Sequence, residues 1–177
     1  MSSWESRSRA LLRLGLSPQI TTISTATTPP VIAEAQLRSG RAASGRGAAS
    51  QLKQAISTTR AINPDATIMV RGDSMFGTKK VITTCVAEDA EFSLSVSRNK
   101  RISAAIEVID ETAYTPVHYP GAVEDPDTGA LISDAQVAET PYTLRLDRHR
   151  ALTVRLVVRR VKDARYVCHE RETEVLM

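Results

Sequence analysis

The fold of this chain is decided by the stretch Thr67-Ile68-Met69-Val70-Arg71-Gly72-Asp73-Ser74. Residues 67–71 have the continuous apolar run Ile68-Met69-Val70 at their centre, which predicts a short strand buried on both faces. Gly72 gives the backbone freedom just before Asp73, so that a carboxylate follows the end of the strand directly. Ligands of open α/β sheets gather at the carboxyl ends of the strands. Asp73 is therefore the first candidate functional residue.

Helical patterns flank this strand on both sides. Apolar residues at i, i+1, i+4, i+7 and i+8 predict a helix over residues 47–61, and a second helix over residues 78–88 has Thr78 as its cap. Residues 92–96 alternate between apolar residues and serines, which predicts a half-buried strand. A third helical stripe runs from Ile102 to Ile109. This alternation predicts an α/β layer with parallel strands.

The pattern changes after Asp110. Residues 114–119, 136–143 and 151–161 are typical of strands, and the turn sequence Asp125-Pro126-Asp127-Thr128-Gly129 lies between the first two. We expect this half of the chain to form a small antiparallel sheet, attached to the first layer or inserted into it.

Composition sets broad limits on function. The chain has 177 residues, a net charge of +3 and a pI near 9.1, which is compatible with nucleic-acid binding without demanding it. Cys85 and Cys168 are far apart, which predicts free thiols in a reducing compartment and a cytoplasmic location. The three histidines lack zinc-ligand spacing. No stretch approaches the roughly 18 apolar residues of a membrane span, so we expect no membrane partner.

The residues around Asp73 also resemble a known family. The segment Val70 to Gly77 resembles the second-aspartate motif of the DDE transposases of bacterial insertion sequences. Further segments are similar to that family in the same order: residues 37–49, 113–123, 132–139 and 157–163. The resemblance covers residues 31–166. It implies an RNase H-like core in which Asp73 is the second catalytic acid and binds Mg²⁺.

The sequence pattern and this resemblance together predict four regions in an α/β chain. Residues 1–30 are expected to be a disordered leader, and residues 31–110 a partial RNase H-like transposase core. Residues 111–166 are expected to be an inserted, β-rich antiparallel sheet. Residues 167–177 are expected to be a tail that is too short for a full element.

The other acids of the implied site have no convincing match. Upstream of Asp73 the only acids are Glu5, Glu34 and Asp65, and none of them ends an apolar strand. The family's catalytic glutamate lies on a later helix, which residues 167–177 do not predict. A site with one acid of three has too few ligands for two metal ions. The resemblance therefore implies a transposase fragment that is inactive alone.

Simpler interpretations of Asp73 and of the basic residues stay open. Asp73 can be an aspartate of a turn or of a helix N-terminus, since a helix follows it. We expect six arginines to contact DNA phosphates, three in a Gly/Ser-rich loop and three near the C-terminus: Arg38, Arg41, Arg46, Arg155, Arg159 and Arg160. A plain flexible loop and a solvated sheet face explain the same arginines.

Two further hypotheses complete the sequence analysis. The chain can be a non-enzymatic remnant that binds DNA, forms a homo-oligomer or joins a full-length transposase. It can also have no function, because a partial core has exposed sheet edges and aggregates easily.

Overall fold

A computed structural model describes residues 15–43, 45–117, 124, 129, 135–161 and 172–176 of the chain. The chain divides into two compact units. The first comprises Met1–Arg71 and Met75–Phe92, and the second comprises Gly72–Ser74 and Ser93–Met177.

An antiparallel hairpin opens the first unit. Strand β1 spans Leu16–Ile23 and pairs with strand β2, which spans Val31–Ser39. Strand β1 falls in the region expected to be a disordered leader, and that expectation is wrong for residues 16–23. The run Ile20-Thr21-Thr22-Ile23 is β-branched throughout, and such residues favour strands when a partner strand is present.

The polar face of this hairpin is covered by a helix, and its apolar face is exposed. The inner face carries Gln19 on β1, which is buried, and helix α1 (Ala48–Ile62) packs against both strands. Gln51 of α1 donates to the main-chain oxygens of Gln19 at 3.0 Å and Glu34 at 3.2 Å. The outer face is apolar, and four of its side chains are 54% to 66% exposed: Leu16, Ile20, Ile32 and Leu37.

Strands β3 (Met69–Gly72) and β4 (Glu91–Leu94) form a separate two-stranded sheet. The Glu91 amide donates to the Ile68 oxygen at 2.9 Å, and the Ser95 amide donates to the Gly72 oxygen at 3.1 Å. Both bonds advance in the same direction along the two strands, so β3 and β4 are parallel, as predicted. The expectation that β3 is buried on both faces is wrong: Met69 is 51% exposed, and Arg71, which shares its face of the strand, is exposed as well.

The core of the first unit lies between α1 and α2 (Lys79–Ala87). Ala55 and Ile56 of α1 are buried, and so are Val81, Ile82 and Cys85 of α2, whereas Val86, which the helical pattern of α2 also assigns to the core, is 42% exposed. Burial raises the pKa of the Cys85 thiol to about 11, so the thiol stays protonated and unreactive near neutral pH.

The second unit is mainly β-structure after helix α3 (Lys100–Glu107) and a 3-10 turn, Glu111–Ala113. Its antiparallel sheet has the order β5-β6-β7-β8, with strands Thr115–Val117, Ala135–Arg145, Ala151–Val161 and Glu172–Leu176. The predicted sheet is therefore confirmed. Strand β8 corrects the expectation that residues 167–177 form no element, because an existing edge, β7, needs only a short partner. Residues 125–128 of the predicted turn lie outside the described residues.

A charged turn closes the β6–β7 hairpin. The Asp147 carboxylate accepts the Arg150 side chain at 2.6 Å and the amides of His149 and Arg150 at 2.8 Å each. The hydrogen bond from the Arg150 side chain, with help from the two amides, lowers the pKa of Asp147. This carboxylate therefore supports the turn at neutral pH, and its contribution is lost as the pH falls through that lowered pKa.

No helix among the described residues is both long enough and apolar enough to cross a membrane.

Candidate nucleic-acid interface and the position of Asp73

Asp73 directly follows β3 and is exposed to solvent. The next helix, α2, is capped by Thr78, whose side chain accepts the Val81 amide at 3.4 Å. Asp73 therefore does not cap this helix, and the N-cap interpretation is wrong. Ser74 to Phe76 form a turn, so an aspartate beside a turn remains the simpler alternative to a functional carboxylate.

The described residues do not surround Asp73 with further metal ligands. No group of three or more His, Cys, Asp or Glu side chains within the described ranges is placed to hold a metal ion. Glu34 lies inside β2, half-buried, and Asp65 lies in the turn after α1. Neither ends a strand, so the structure gives no second acid that matches the expected pattern. The described side chains do not fit a complete two-metal site, and no chemical step is derived through one.

The basic loop after β2 is held together by Arg38, the first of its predicted DNA contacts. The Arg38 Nη1 donates to the main-chain oxygens of Ala43 at 3.2 Å and Arg46 at 3.0 Å. Its Nε and Nη2 donate to the Ser17 main-chain and side-chain oxygens at 3.3 and 3.2 Å. This planar group therefore ties the loop to β1, a task that the point charge of a lysine does not reproduce. Arg38 positions the loop, and its side chain is not presented to a phosphate.

The same loop packs tightly against the segment that follows Asp73 in sequence. A Cβ atom on Gly45 would lie 2.8 Å from the Met75 carbonyl oxygen, so only glycine fits this approach. Gly47 has a φ of +84°, a backbone conformation that glycine adopts without strain. These two glycines explain the Gly-rich character of the loop. It is held against its neighbours and is not simply a flexible connection.

Arg41 and Arg46 are the two arginines of this loop that remain available to a ligand. Both are exposed, and neither side chain forms a hydrogen bond or ion pair with another described residue. Cationic side chains on a backbone held in place are suited to contact phosphate groups.

The three arginines of β7 divide between the two faces of the β6–β7 hairpin. Successive residues of a strand point to opposite faces, so Arg155 and Arg159 share one face and Arg160 lies on the other. Arg155 is exposed and lies 3.7 Å from the Glu139 carboxylate across the strands. Because surface ion pairs are weak, Arg155 can leave Glu139 and contact a ligand at a small cost in free energy.

Arg160 is committed to contacts inside the second unit. It is only 9% exposed, and its two terminal nitrogens donate to the Glu111 carboxylate at 2.9 and 2.6 Å. The guanidinium carbon lies 3.5 Å from the centroid of the Tyr114 ring, and Nε donates to Gln136 at 3.2 Å. The hydrogen bonds to Glu111 raise the pKa of Arg160, so the group keeps its charge. This geometry does not support the DNA contact expected of Arg160.

Sequence reasoning missed this arrangement because its parts are distant in the chain. Glu111 and Arg160 are 49 residues apart, and they meet only because the 3-10 turn lies beside β7. Strand alternation was the one sequence signal for this difference, because it places Arg159 and Arg160 on opposite faces of β7.

Comparison with known families gives one match. The model of a family described as transposase DDE domain group 1 matches residues 27–162, which is more than half of the chain. No curated protein matches the chain.

We predict that Arg160→Ala destabilises the protein by about 1–2 kcal/mol. This is less than the roughly 3–5 kcal/mol typical of a fully buried pair, because the Glu111 side chain is 72% exposed. The substitution removes the hydrogen bonds of Arg160 to Glu111 and Gln136 and its contact with the Tyr114 ring. The measurement is urea unfolding followed by circular dichroism.

Arg155→Ala is the matched control, since it removes the same side chain from the opposite face of the same strand, where Arg155 is exposed and lies 3.7 Å from Glu139. We expect it to change the free energy of unfolding by less than Arg160→Ala does. Equal losses for the two variants would contradict a structural role specific to Arg160.

Proposed function

This chain belongs to the transposase DDE domain family, and from that premise we propose that it is part of a DNA transposase. We further propose that it carries one acid of the cleavage site, Asp73. Transposases with this domain use divalent metal ions. In a complete site Asp73 would be one of the ligands of Mg²⁺, a hard cation that prefers carboxylate oxygens. The observation that carries the proposal is the position of this exposed carboxylate, which follows a parallel strand and caps no helix.

The chain by itself is proposed to lack DNA-cleaving activity. Two metal ions about 4 Å apart need several carboxylates that converge on one point. Of the acids upstream of Asp73 that are described, Glu34 is inside β2 and Asp65 is in a turn. This supports the proposal that the 177 residues bring one functional acid and not a working set.

We predict that the purified chain does not nick supercoiled plasmid DNA in the presence of Mg²⁺ or Mn²⁺, because its metal ions have too few ligands. The measurement is gel electrophoresis of the plasmid over time. Asp73→Asn serves as the matched control, since it removes the carboxylate charge with little change of shape. Metal-dependent nicking that Asp73→Asn abolishes would overturn the proposed inactivity and would establish Asp73 as a catalytic residue.

The activity that we propose for the chain alone is binding to DNA through arginines at its surface. Arg41 and Arg46 are exposed on the loop that Arg38 holds in place, and the exposed Arg155 shares one face of β7 with the half-buried Arg159. Phosphate contacts carry no sequence information directly, so the binding is expected to be independent of sequence.

We predict that Arg41→Gln with Arg46→Gln weakens binding to a labelled DNA duplex and lowers its dependence on salt. Each phosphate contact adds about 0.9 to the slope of log K against log salt concentration, so the double variant should reduce this slope by about 1.8. Fluorescence anisotropy at a series of salt concentrations measures both quantities. Arg38→Lys is expected to weaken binding as well, because lysine cannot hold the loop through four hydrogen bonds. An unchanged slope in the double variant would contradict the loop as a DNA contact.

A second candidate function is assembly with another transposase chain, either a second copy or a full-length transposase. The observation that favours it is the apolar outer face of the β1–β2 hairpin, whose exposed side chains include Ile20 and Leu37. Apolar patches of this kind on a stable protein mark interaction sites. The face carries no charged residue in its register, so two copies can meet there without repulsion between like charges.

We predict that Ile20→Thr with Leu37→Thr shifts the protein from an oligomer toward a monomer in sedimentation velocity. Threonine keeps the preference for a strand while it removes apolar surface. Ile62→Thr with Val108→Thr is the matched control, since these two apolar side chains are exposed elsewhere at 78% and 79%. A wild-type chain that is monomeric alone and does not co-sediment with a full-length transposase would contradict this function.

A further inference from the structure

Three cations are concentrated at the start of helix α3, away from the arginines considered so far. Arg98, Lys100 and Arg101 are all exposed. No acid occurs between residues 92 and 106, so no neighbour in sequence neutralises them. None of the three forms an ion pair with an acid among the described residues.

This basic cluster, defined as Arg98, Lys100 and Arg101, is fixed in place by the local structure. The Asn99 side chain accepts the amides of Arg101 at 3.0 Å and Ile102 at 3.2 Å, which fixes the first turn of α3. The Arg98 Nε donates to the Ser103 Oγ at 3.2 Å, which restrains Arg98 and leaves its terminal nitrogens for another partner. Ile102 is buried, so the helix is anchored to its unit on the opposite side.

The parallel pairing of β3 and β4 brings this cluster to the edge of the sheet that carries Asp73. The Ser95 amide donates to the Gly72 oxygen at 3.1 Å, and Asp73 is the next residue after Gly72. Arg98 follows Ser95 by three residues, so its Cα lies at most about 10 Å from that of Ser95. Residues 72–74 and 93–101 belong to the same compact unit. The cluster and the carboxylate therefore lie at the carboxyl ends of neighbouring parallel strands.

We propose that Arg98, Lys100 and Arg101 bind the phosphates of a DNA strand at this edge and hold the strand beside Asp73. The inference rests on the proposed function, because that function makes DNA the partner. It adds a set of positioning residues that are distinct from the loop arginines Arg41 and Arg46 and from the outer face of β7.

The charges at this edge explain why such residues are needed. The Asp73 carboxylate repels a phosphodiester, and at a separation of several ångströms near a protein surface this repulsion is substantial. Cations at the same edge offset it and let the phosphate approach the carboxylate. The three cations lie within four successive residues and so present several positive charges together to the phosphates of a nucleic-acid backbone.

The first experiment measures binding of the full chain to a labelled DNA duplex in EDTA, over a range of salt concentrations. Lys100→Gln with Arg101→Gln is expected to weaken binding at low salt by at least about tenfold and to reduce the salt slope by about 0.9 for each lost contact. Arg148→Gln with Lys53→Gln is the matched control, because it removes two charges from other exposed positions. The control should change the affinity for DNA and the salt slope less than Lys100→Gln with Arg101→Gln does. Thermal unfolding of each variant excludes loss of fold, and Lys100→Arg with Arg101→Lys should retain binding.

The second experiment tests the placement beside Asp73. Asp73→Asn should tighten binding in EDTA, because it removes the repulsion between carboxylate and phosphate. This gain should disappear in the Lys100→Gln, Arg101→Gln background, where the phosphate is no longer held at that edge, and should persist in the control background. A gain of equal size in both backgrounds would overturn the placement.

The outcomes separate this inference from the proposed function. If the wild-type chain binds no DNA at low salt, both fail. If Arg41→Gln with Arg46→Gln weakens binding while Lys100→Gln with Arg101→Gln behaves like its control, the inference fails and the DNA-binding function stands.

Discussion

The hydrogen bond from the Ser95 amide to the Gly72 oxygen is the interaction on which the functional interpretation of this chain depends. Together with the bond between Glu91 and Ile68, it makes β3 and β4 parallel. Two parallel strands end at the same edge, so whatever follows them is brought together there. Asp73 follows the first strand, and the basic cluster at the start of α3 follows the second. If the strands were antiparallel, these charges would lie at opposite ends of the sheet.

The arginines show how one chemical type serves two purposes in this protein. Arg38 and Arg160 use the planar, multiply donating guanidinium to organise structure, the first across a loop and the second between a 3-10 turn and β7. Arg41, Arg46 and Arg155 are exposed instead, and their charge is directed to solvent or to a ligand. Net charge alone does not distinguish these roles, because both kinds of arginine contribute equally to it.

Most surface sheets bury their apolar face and expose their polar face, and the hairpin of β1 and β2 does the reverse. Its polar face is covered by α1, where Gln51 satisfies main-chain oxygens of both strands, and its apolar face is exposed. Two-stranded sheets are only marginally stable without a covering layer. The packing of α1 supplies that layer on one side, and the proposed assembly with another chain would supply it on the other.

The sequence by itself determined the helices, the parallel layer around Asp73, the antiparallel second half and the family, because periodicity, turn residues and long motifs are local properties. It did not identify β1 or β8, whose strands depend on a partner strand being present. Only the tertiary structure decided that Arg160 is occupied by Glu111, 49 residues away. Contacts between distant residues depend on how the elements are arranged in space, and a local sequence pattern does not indicate that arrangement.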